Sequence, residues 1–204
     1  VLQAVIENTF CSDYLIAIGG LNNWREEFFP EYKKSKARLA SKKNRAEHFE
    51  ELKEWFCQHP NSVVAHGFEA DDLIRIWALE AARDGDPYIV CTIDKDLDCI
   101  PGKHFKPGRD EYYEVDEESA DTHYWRQILM GDAVDNIPGL SKVGPVKANK
   151  ILEGCDNNNK RKAAVINAYK QHYGDQWKPY LLANGRLIHI WRHINDHFQI
   201  KEER

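Results

Sequence analysis

The 204-residue sequence lacks an apolar run long enough to cross a membrane, because its longest apolar runs, 14–18 and 88–93, have the length of strands. Its first residues also lack the basic segment and apolar stretch of a secretory signal. Its five cysteines are an odd number without a CxxC pair, which argues against a disulfide framework and a structural zinc site. These absences predict a soluble protein of the reducing cytoplasm with no membrane partner.

The signatures of several enzyme classes are also absent. The sequence contains no GxSxG nucleophile motif, no HExxH zinc motif and no Walker phosphate loop. His189 and His193 are spaced i, i+4, but such a pair without a third ligand is more often part of a surface or a core than of a zinc site. With 42% apolar and 30% charged residues, the composition is that of a globular protein.

The net charge of −5 speaks weakly against a nucleic-acid partner, but the charges are unevenly distributed. From Lys33 to Arg45 there are seven basic residues and no acidic one, and 142–162 carries six basic residues against Glu153 and Asp156. Eight carboxylates form three clusters, and without them the net charge would be +3 (−5 + 8), which is mildly basic. The clusters are Glu69, Asp71 and Asp72; Asp94, Asp96 and Asp98; and Asp132 and Asp135.

Alternating strand and helix patterns predict an α/β domain over 1–118, in which helices flank a mostly parallel central sheet. Continuous apolar character over 88–93 predicts a strand buried on both faces. Residues 119–204 show a helical pattern and predict a helical domain, whereas 22–32 is expected to be a loop and 101–113 a short hairpin. The expected strands are 14–18, 62–65 and 88–93, and the expected helices are 1–11, 46–57, 69–83, 117–130, 146–152, 160–173 and 177–190.

Each acidic cluster lies at the end of a predicted element. Glu69, Asp71 and Asp72 open a helix directly after a strand, where acids also stabilise the helix dipole without any further role. Asp94 and Asp96 end the next strand and would repel each other without a cation. Three such clusters predict a site for hard divalent ions, and two ions roughly 4 Å apart are a common apparatus for cleaving phosphodiesters.

The two basic segments are candidates for contacts with backbone phosphates. Gly139 and Gly144 flank a turn between predicted helices, where Lys142 and Lys147 add positive charge beside the second helix. This pattern predicts phosphate binding without base specificity, although an ordinary helix–turn–helix corner shares it. The run 33–45 is likewise either a phosphate-binding segment or a solvated helix face.

At the level of whole motifs, the sequence resembles the 5′→3′ exonuclease and flap endonuclease superfamily, most of all the stand-alone exonucleases of short-tailed bacteriophages. The motifs occur in the family's order and cover nearly the whole chain. The matching segments are NWR at 23–25, PEYK at 30–33, FEADDLI at 68–74 (EADD motif), TIDKDLD at 92–98 (TxDxD motif), EESAD at 117–121, GDAVDNIPG at 131–139 (GDxxDN motif) and VGP at 143–145 (helix–three-turn–helix).

The resemblance implies a PIN/resolvase-like nuclease core at 1–118, with a basic helical arch at about 30–57, and a helical domain at 119–204. The helix–three-turn–helix would lie at about 131–152. It implies a 5′→3′ exonuclease, or a flap endonuclease, that is monomeric and cleaves duplex DNA near 5′ ends or flaps, with an RNA–DNA hybrid as a further substrate. Such an enzyme would work in DNA replication in the cytoplasm of a bacterial host.

The resemblance also implies two Mg²⁺ or Mn²⁺ ions, and in some relatives a K⁺ ion at the helix–three-turn–helix. Lys33 and Lys36 would stabilise the scissile phosphate, and Asp94 would act beside them in catalysis. The implied metal ligands are Glu69, Asp71, Asp72 and Asp94 for the nucleophile-side ion and Asp96, Asp132 and Asp135 for the other ion. The implied DNA contacts are Lys33, Lys34, Lys36, Arg38, Gly139, Lys142, Gly144 and Lys147.

Two features of the family pattern have no counterpart in the sequence. Family members begin with a strand whose aspartate bridges to the first metal ion, whereas this sequence is expected to begin inside the following helix. Gly19 and Gly20 stand where relatives often place an acid. Because both features concern the nucleophile-side ion, a catalytically impaired DNA-junction-binding protein is the alternative. A related RNA-cleaving toxin domain is disfavoured, because those domains lack the duplex-binding module at 137–152.

Overall fold

The computed structural model describes residues 2–200 as helices and short strands in the predicted order. The helices are α1 (Leu2–Thr9), α2 (Trp24–Phe28), α3 (Lys36–Lys43), α4 (Phe49–Cys57), α5 (Ala70–Asp84), α6 (Glu117–Met130), α7 (Pro145–Leu152), α8 (Asn158–Tyr173) and α9 (Trp177–Ile188). The strands are β1 (Ile16–Gly19), β2 (Ser62–Ala65), β3 (Ile89–Cys91), β4 (Gly102–Lys106) and β5 (Glu111–Val115), and 3₁₀ turns lie at Lys95–Cys99 and Gly174–Gln176. Across these residues, no helix is both long and apolar enough to span a membrane.

The strands form two small sheets, where the sequence predicted one central sheet. β1 is parallel to β2, with Ile16 opposite Ser62. β3 is parallel to β4, which is antiparallel to β5. Within residues 2–200, no strand pairing joins β1 and β2 to β3, β4 and β5. Two of the three pairings are parallel, so the α/β class and the mostly parallel order are confirmed.

The prediction that 88–93 is buried on both faces is wrong. Val90 is buried, but Cys91 is exposed and 80% of the surface of Ile93 is accessible. Among the described strands, only β4 hydrogen-bonds to β3, which is therefore an edge strand. Part of its apolar surface remains exposed.

The segment 22–32 is not the simple loop that its aromatic and proline content predicted. It contains α2, because the Asn23 side chain caps the helix by accepting a hydrogen bond from Arg25 N at 3.0 Å. The predicted hairpin at 101–113 is confirmed by β4 and β5. Within the basic run 33–45, α3 has no buried residue.

The apolar interior consists of two clusters. The larger cluster is formed mainly by α6–α9 and includes Trp125, Ile128 and Tyr169, whose hydroxyl donates to Ile128 O at 2.7 Å. The smaller cluster joins α5 to β3 through Ala78 and Val90. The larger cluster includes Ile137 and therefore anchors the turn that follows α6, and the smaller cluster anchors β3 to α5.

A tight turn follows α6 and carries the third acidic cluster. Asp132 and Ile137 exchange backbone hydrogen bonds of 2.9 and 2.7 Å across it. Gly131 and Gly139 have φ angles of +69° and +60°, and a Cβ atom on Gly139 would lie 2.2 Å from Met130 C. Gly139 is buried in this contact, so packing within the turn, and not the approach of a phosphate, requires a glycine there.

We expect Gly139→Ala to lower the free energy of unfolding by about 2–3 kcal/mol, because the methyl group meets backbone atoms and the φ angle disfavours a side chain. Gly144→Ala is the matched control, since nothing lies within 4 Å of a Cβ atom there. Urea unfolding of both variants measures the difference. Equal stability of the two variants would contradict this description of the turn.

Candidate metal centre

Three segments that are distant in sequence bring six carboxylates close to one another. Glu69 and Asp71 lie at the start of α5, where Glu69 is the N-cap residue. Asp94 and Asp96 follow β3, and the remaining two carboxylates, Asp132 and Asp135, lie in the turn after α6. The charges of Glu69 and Asp94 act on Asp71, and those of Asp94, Asp132 and Asp135 act on Asp96. The structure therefore places these six predicted metal ligands within electrostatic reach of one another.

The proximity of these groups changes their protonation. Burial, and then the charge of Glu69, raises the pKa of Asp71 to about 7. Burial, and then the charge of Asp94, raises the pKa of Asp96 to about 6. Burial also raises the pKa of Asp135, although two basic side chains oppose the shift. Without further positive charge, the cluster thus resists full ionisation at neutral pH.

Basic side chains already contact two members of the cluster. Lys33 Nζ hydrogen-bonds to Glu69 Oε1 and lies 3.7 Å from Asp135 Oδ2. Arg38 Nη1 lies 2.5 Å from Asp135 Oδ1. Lys33, predicted to face a phosphate, therefore faces the carboxylates in this structure. Lys34 and Lys36 are exposed beside it, as a role in DNA binding requires.

Neighbouring polar groups orient the carboxylates. Tyr32 OH donates to Glu69 Oε2 at 2.9 Å, and Gln127 Nε2 donates to Asp96 Oδ1 at 2.7 Å. Asp132 Oδ1 accepts hydrogen bonds from the backbone of its own turn, including one from Val134 N at 2.7 Å. Sequence reasoning did not select Gln127, since one glutamine inside an amphipathic helix carries no motif.

Asp72 is separated from this cluster by its own partners. Arg25 Nη1 and Nη2 each donate to one of its oxygens at 2.8 Å, and backbone N–H groups of Glu69 and Trp191 donate at 3.0 and 2.8 Å. Asp72 is completely buried, and both oxygens accept two hydrogen bonds. The predicted metal ligand thus has a structural function here. Asp98 also has a partner outside the cluster, because its Oδ1 accepts a hydrogen bond from Tyr113 OH at 2.7 Å.

The six carboxylates fit a hard divalent cation by their chemistry, since Mg²⁺ and Mn²⁺ prefer carboxylate oxygens. Over residues 2–200, no three His, Cys, Asp or Glu side chains converge closely enough to hold a metal ion in their present positions. Lys33 and Arg38 occupy oxygens of two of the candidates. An ion would therefore exchange with these basic groups.

The predicted phosphate contacts around α7 are accessible on one side of the turn. Lys142 and Lys147 are exposed, and Gly144 is the N-cap residue of α7 with open space around it. Gly139 is buried and cannot approach a ligand in this conformation. Arg38 is partly buried against Asp135, so its charge is shared between the carboxylates and the surface.

We expect Asp72→Asn to lower the free energy of unfolding by about 3–5 kcal/mol, because it removes the buried negative charge to which both terminal nitrogens of Arg25 donate and leaves only Glu69, at 3.3 Å, as a charged partner. Asp84→Asn is the control, since the Arg83–Asp84 pair is exposed. Urea denaturation at pH 7 measures both changes. A cost for Asp72→Asn no larger than that of the control would show that the buried pair does not hold the fold.

The metal-free protein should become more stable when Asp71 is replaced by asparagine. Because the pKa of Asp71 rises from 3.8 to about 7 on folding, its ionisation opposes folding increasingly as the pH rises through that interval. Asp71→Asn should therefore raise the melting temperature in chelator at pH 8, and the gain should shrink toward pH 4. A gain of equal size at both pH values would contradict the shift.

Known proteins resemble this chain in sequence and in fold. No family model matches the sequence. DNA polymerase I of Rhizobium leguminosarum is 31% identical over 100 residues, which are 45% of this chain and 10% of the polymerase. Flap endonuclease Xni of Vibrio vulnificus is 24% identical over 153 residues, which are 69% of this chain and 57% of Xni. The chain thus spans about a tenth of the length of the polymerase and somewhat over half of the length of Xni.

Two solved structures from bacteriophage T5 share the fold. T5 5′-exonuclease with bound zinc ions has a TM-score of 0.68 and 19% identity, covering 92% of this chain and 78% of that chain. T5 D15 flap endonuclease in a complex with DNA and metal ions has a TM-score of 0.58 and 15% identity, covering 91% of this chain and 88% of that chain. In sequence and in fold, these comparisons confirm the resemblance to the 5′→3′ exonuclease and flap endonuclease superfamily that the motifs predicted.

Proposed function

We propose that the chain is a metal-dependent, structure-selective nuclease that hydrolyses phosphodiesters of duplex DNA near a 5′ end or a flap without reading the bases. The observation that carries the proposal is the group of six coupled carboxylates next to exposed lysines. The relatives support it, since Xni is named a flap endonuclease and the T5 D15 protein was crystallised with DNA and metal ions.

The carboxylates divide into two groups that would each hold an ion. Bound Mg²⁺ or Mn²⁺ would activate a water molecule and stabilise the charge that develops on the phosphate. Asp96 lies between the two groups, because the charge of Asp94 and, after it, those of Asp132 and Asp135 act on it, and we assign it to the ion at the turn after α6. The proposed groups are Glu69, Asp71 and Asp94 for one ion, and Asp96, Asp132 and Asp135 for the other.

The surrounding side chains keep these oxygens in position. Tyr32 and Arg25 hold Glu69 from one side, with Arg25 Nη1 at 3.3 Å from its Oε2, and Gln127 orients Asp96. Lys33 would lie over the scissile phosphate and stabilise its negative charge, with Lys36 on the exposed face beside it. Preorganisation of this kind reduces the reorganisation required when charge develops in the transition state.

The duplex would be held through its backbone. Lys142 and Lys147 are exposed around the N-terminus of α7, whose free N–H groups attract phosphate. Val146, at the second position of this helix, has 86% of its surface accessible and carries no group that could read a base by hydrogen bonding. Backbone contacts of this type also admit an RNA–DNA hybrid, and a single copy of the chain supplies all of the proposed contacts.

A DNA-junction-binding protein without catalysis is the second candidate. It is favoured by the glycine pair at the end of β1. A Cβ atom on Gly20 would lie 1.9 Å from Ala65 O, which leaves no room at that position for the acid that relatives often place in this region. Gly19 has open space around it, so an acid is excluded by packing only at Gly20. The two candidates differ in whether Mg²⁺ produces cleavage.

We expect Mg²⁺-dependent release of short products from a 5′-labelled duplex with a 5′ flap. Asp132→Asn should slow this release by at least about 10²–10³-fold, as the loss of a charge-stabilising group at an active site does. Asp156→Asn removes an exposed acid next to α8 and should retain full activity.

Binding of the same duplex without cleavage at any Mg²⁺ or Mn²⁺ concentration would favour the second candidate. Equal cleavage by the wild type and Asp132→Asn would contradict the proposed metal ligands.

A further inference from the structure

The beginning of the basic segment (33–45) is fastened to the turn that follows α6. Lys33 N donates to Asp135 O at 2.8 Å, and Ser35 Oγ donates to Val134 O at 2.6 Å. On the other side of the turn, Asn136 Nδ2 donates to Glu31 O at 2.9 Å. We call this set of contacts the latch. It comprises the hydrogen bonds between 31–38 and 134–136 and the ion pairs of Lys33 and Arg38.

The ion pairs of the latch use the carboxylates proposed to hold metal ions. Lys33 contacts Glu69 and Asp135, with only 18% of its side chain exposed. Arg38 bonds to Asp135, which is 15% exposed. Two unit positive charges therefore occupy the place where a divalent ion would carry the same total charge. In a partly buried site, a bound ion would strongly repel the positive charges of Lys33 and Arg38. The ion and the two side chains would therefore compete for the same carboxylate oxygens.

The latch is strained at Lys33. Lys33 has a φ angle of +57°, a left-handed conformation that costs a residue with a side chain about 1–2 kcal/mol. The neighbouring hydrogen bonds and ion pairs hold it in this conformation. Their loss would relieve the strain, so release of the segment has a favourable contribution of its own.

Beyond the latch, the basic segment has little that holds it to the rest of the protein. α3 contains no buried residue, and Leu39 has 45% of its surface exposed. Arg45 pairs with Glu50 at the surface, where such pairs contribute little. The position of α3 therefore depends mainly on the contacts made by residues 31–38.

We propose that Lys33 and Arg38 are resident counter-cations of the metal site and that a divalent cation displaces them, releasing the basic segment to bind DNA phosphate. This inference rests on the proposed function and adds a regulation to it. The side chains of Lys33 and Arg38 contact the carboxylates before an ion binds and the DNA phosphate afterwards. Binding of the ion and release of these two side chains are therefore coupled. Without an ion, the side chains of Lys33 and Arg38 are withheld from DNA.

Hydrogen–deuterium exchange of the whole chain without DNA tests this coupling. Mg²⁺ should accelerate exchange of amides in 33–43 by about tenfold, which corresponds to losing one or two latch hydrogen bonds. Metal binding by itself would slow exchange at its ligands, so acceleration in this segment is specific to release. In the double variant Lys33→Met, Arg38→Gln, exchange should be fast without Mg²⁺ and unchanged on its addition.

Arg45→Gln is the matched control, because it removes the same charge from the same segment outside the latch. It should keep the wild-type response to Mg²⁺. In calorimetry, Arg38→Gln should bind Mg²⁺ more tightly than Arg45→Gln, since a competing cation is gone.

Unchanged or slower exchange in 33–43 of the wild type at saturating Mg²⁺ would overturn the proposal. If Mg²⁺-dependent cleavage were present in that case, the nuclease function would stand without the latch. If calorimetry detected no binding of Mg²⁺ to the wild type, both proposals would fail.

Discussion

Repulsion between carboxylates is the constraint around which this part of the molecule is built. Acids from the start of α5, the end of β3 and the turn after α6 lie within reach of one another, and burial strengthens their interaction because water no longer screens it. The chain compensates with its own cations. Arg25 lies against Glu69, Lys33 lies between Glu69 and Asp135, and Arg38 lies on Asp135. These ion pairs offset part of the repulsion between the carboxylates.

The site keeps its shape because a separate ion pair fixes the elements behind it. Arg25 in α2 and Asp72 in α5 form a buried pair, and Arg25 Nη2 also donates to His189 O at 2.6 Å. Trp191 N donates to Asp72 from the same segment after α9. Three distant parts of the chain thus meet at one carboxylate. Asp71 beside it is buried without such a partner, and burial raises its pKa.

The sequence was informative where local chemistry decides the structure. The helices with clear periodicity and caps, above all α5 with Gly85 beyond its end, lie within a few residues of their predicted bounds. The grouping of the three acidic clusters followed from their positions at element ends. The burial of Asp72 could not be predicted, because its partner Arg25 is 47 positions away and no local pattern joins the two residues. The division of the sheet and the inward contacts of Lys33 likewise depend on long-range packing.

The central claim is that the clustered carboxylates form a shared site for divalent cations. A crystal structure of the protein with Mn²⁺, located by its anomalous scattering, tests this claim most directly. We expect a Mn²⁺ peak bound by oxygens of Asp96, Asp132 or Asp135, with the Lys33 ammonium moved away from Asp135. Saturating Mn²⁺ that gives no peak among these carboxylates, or a peak only elsewhere on the protein, would contradict the claim.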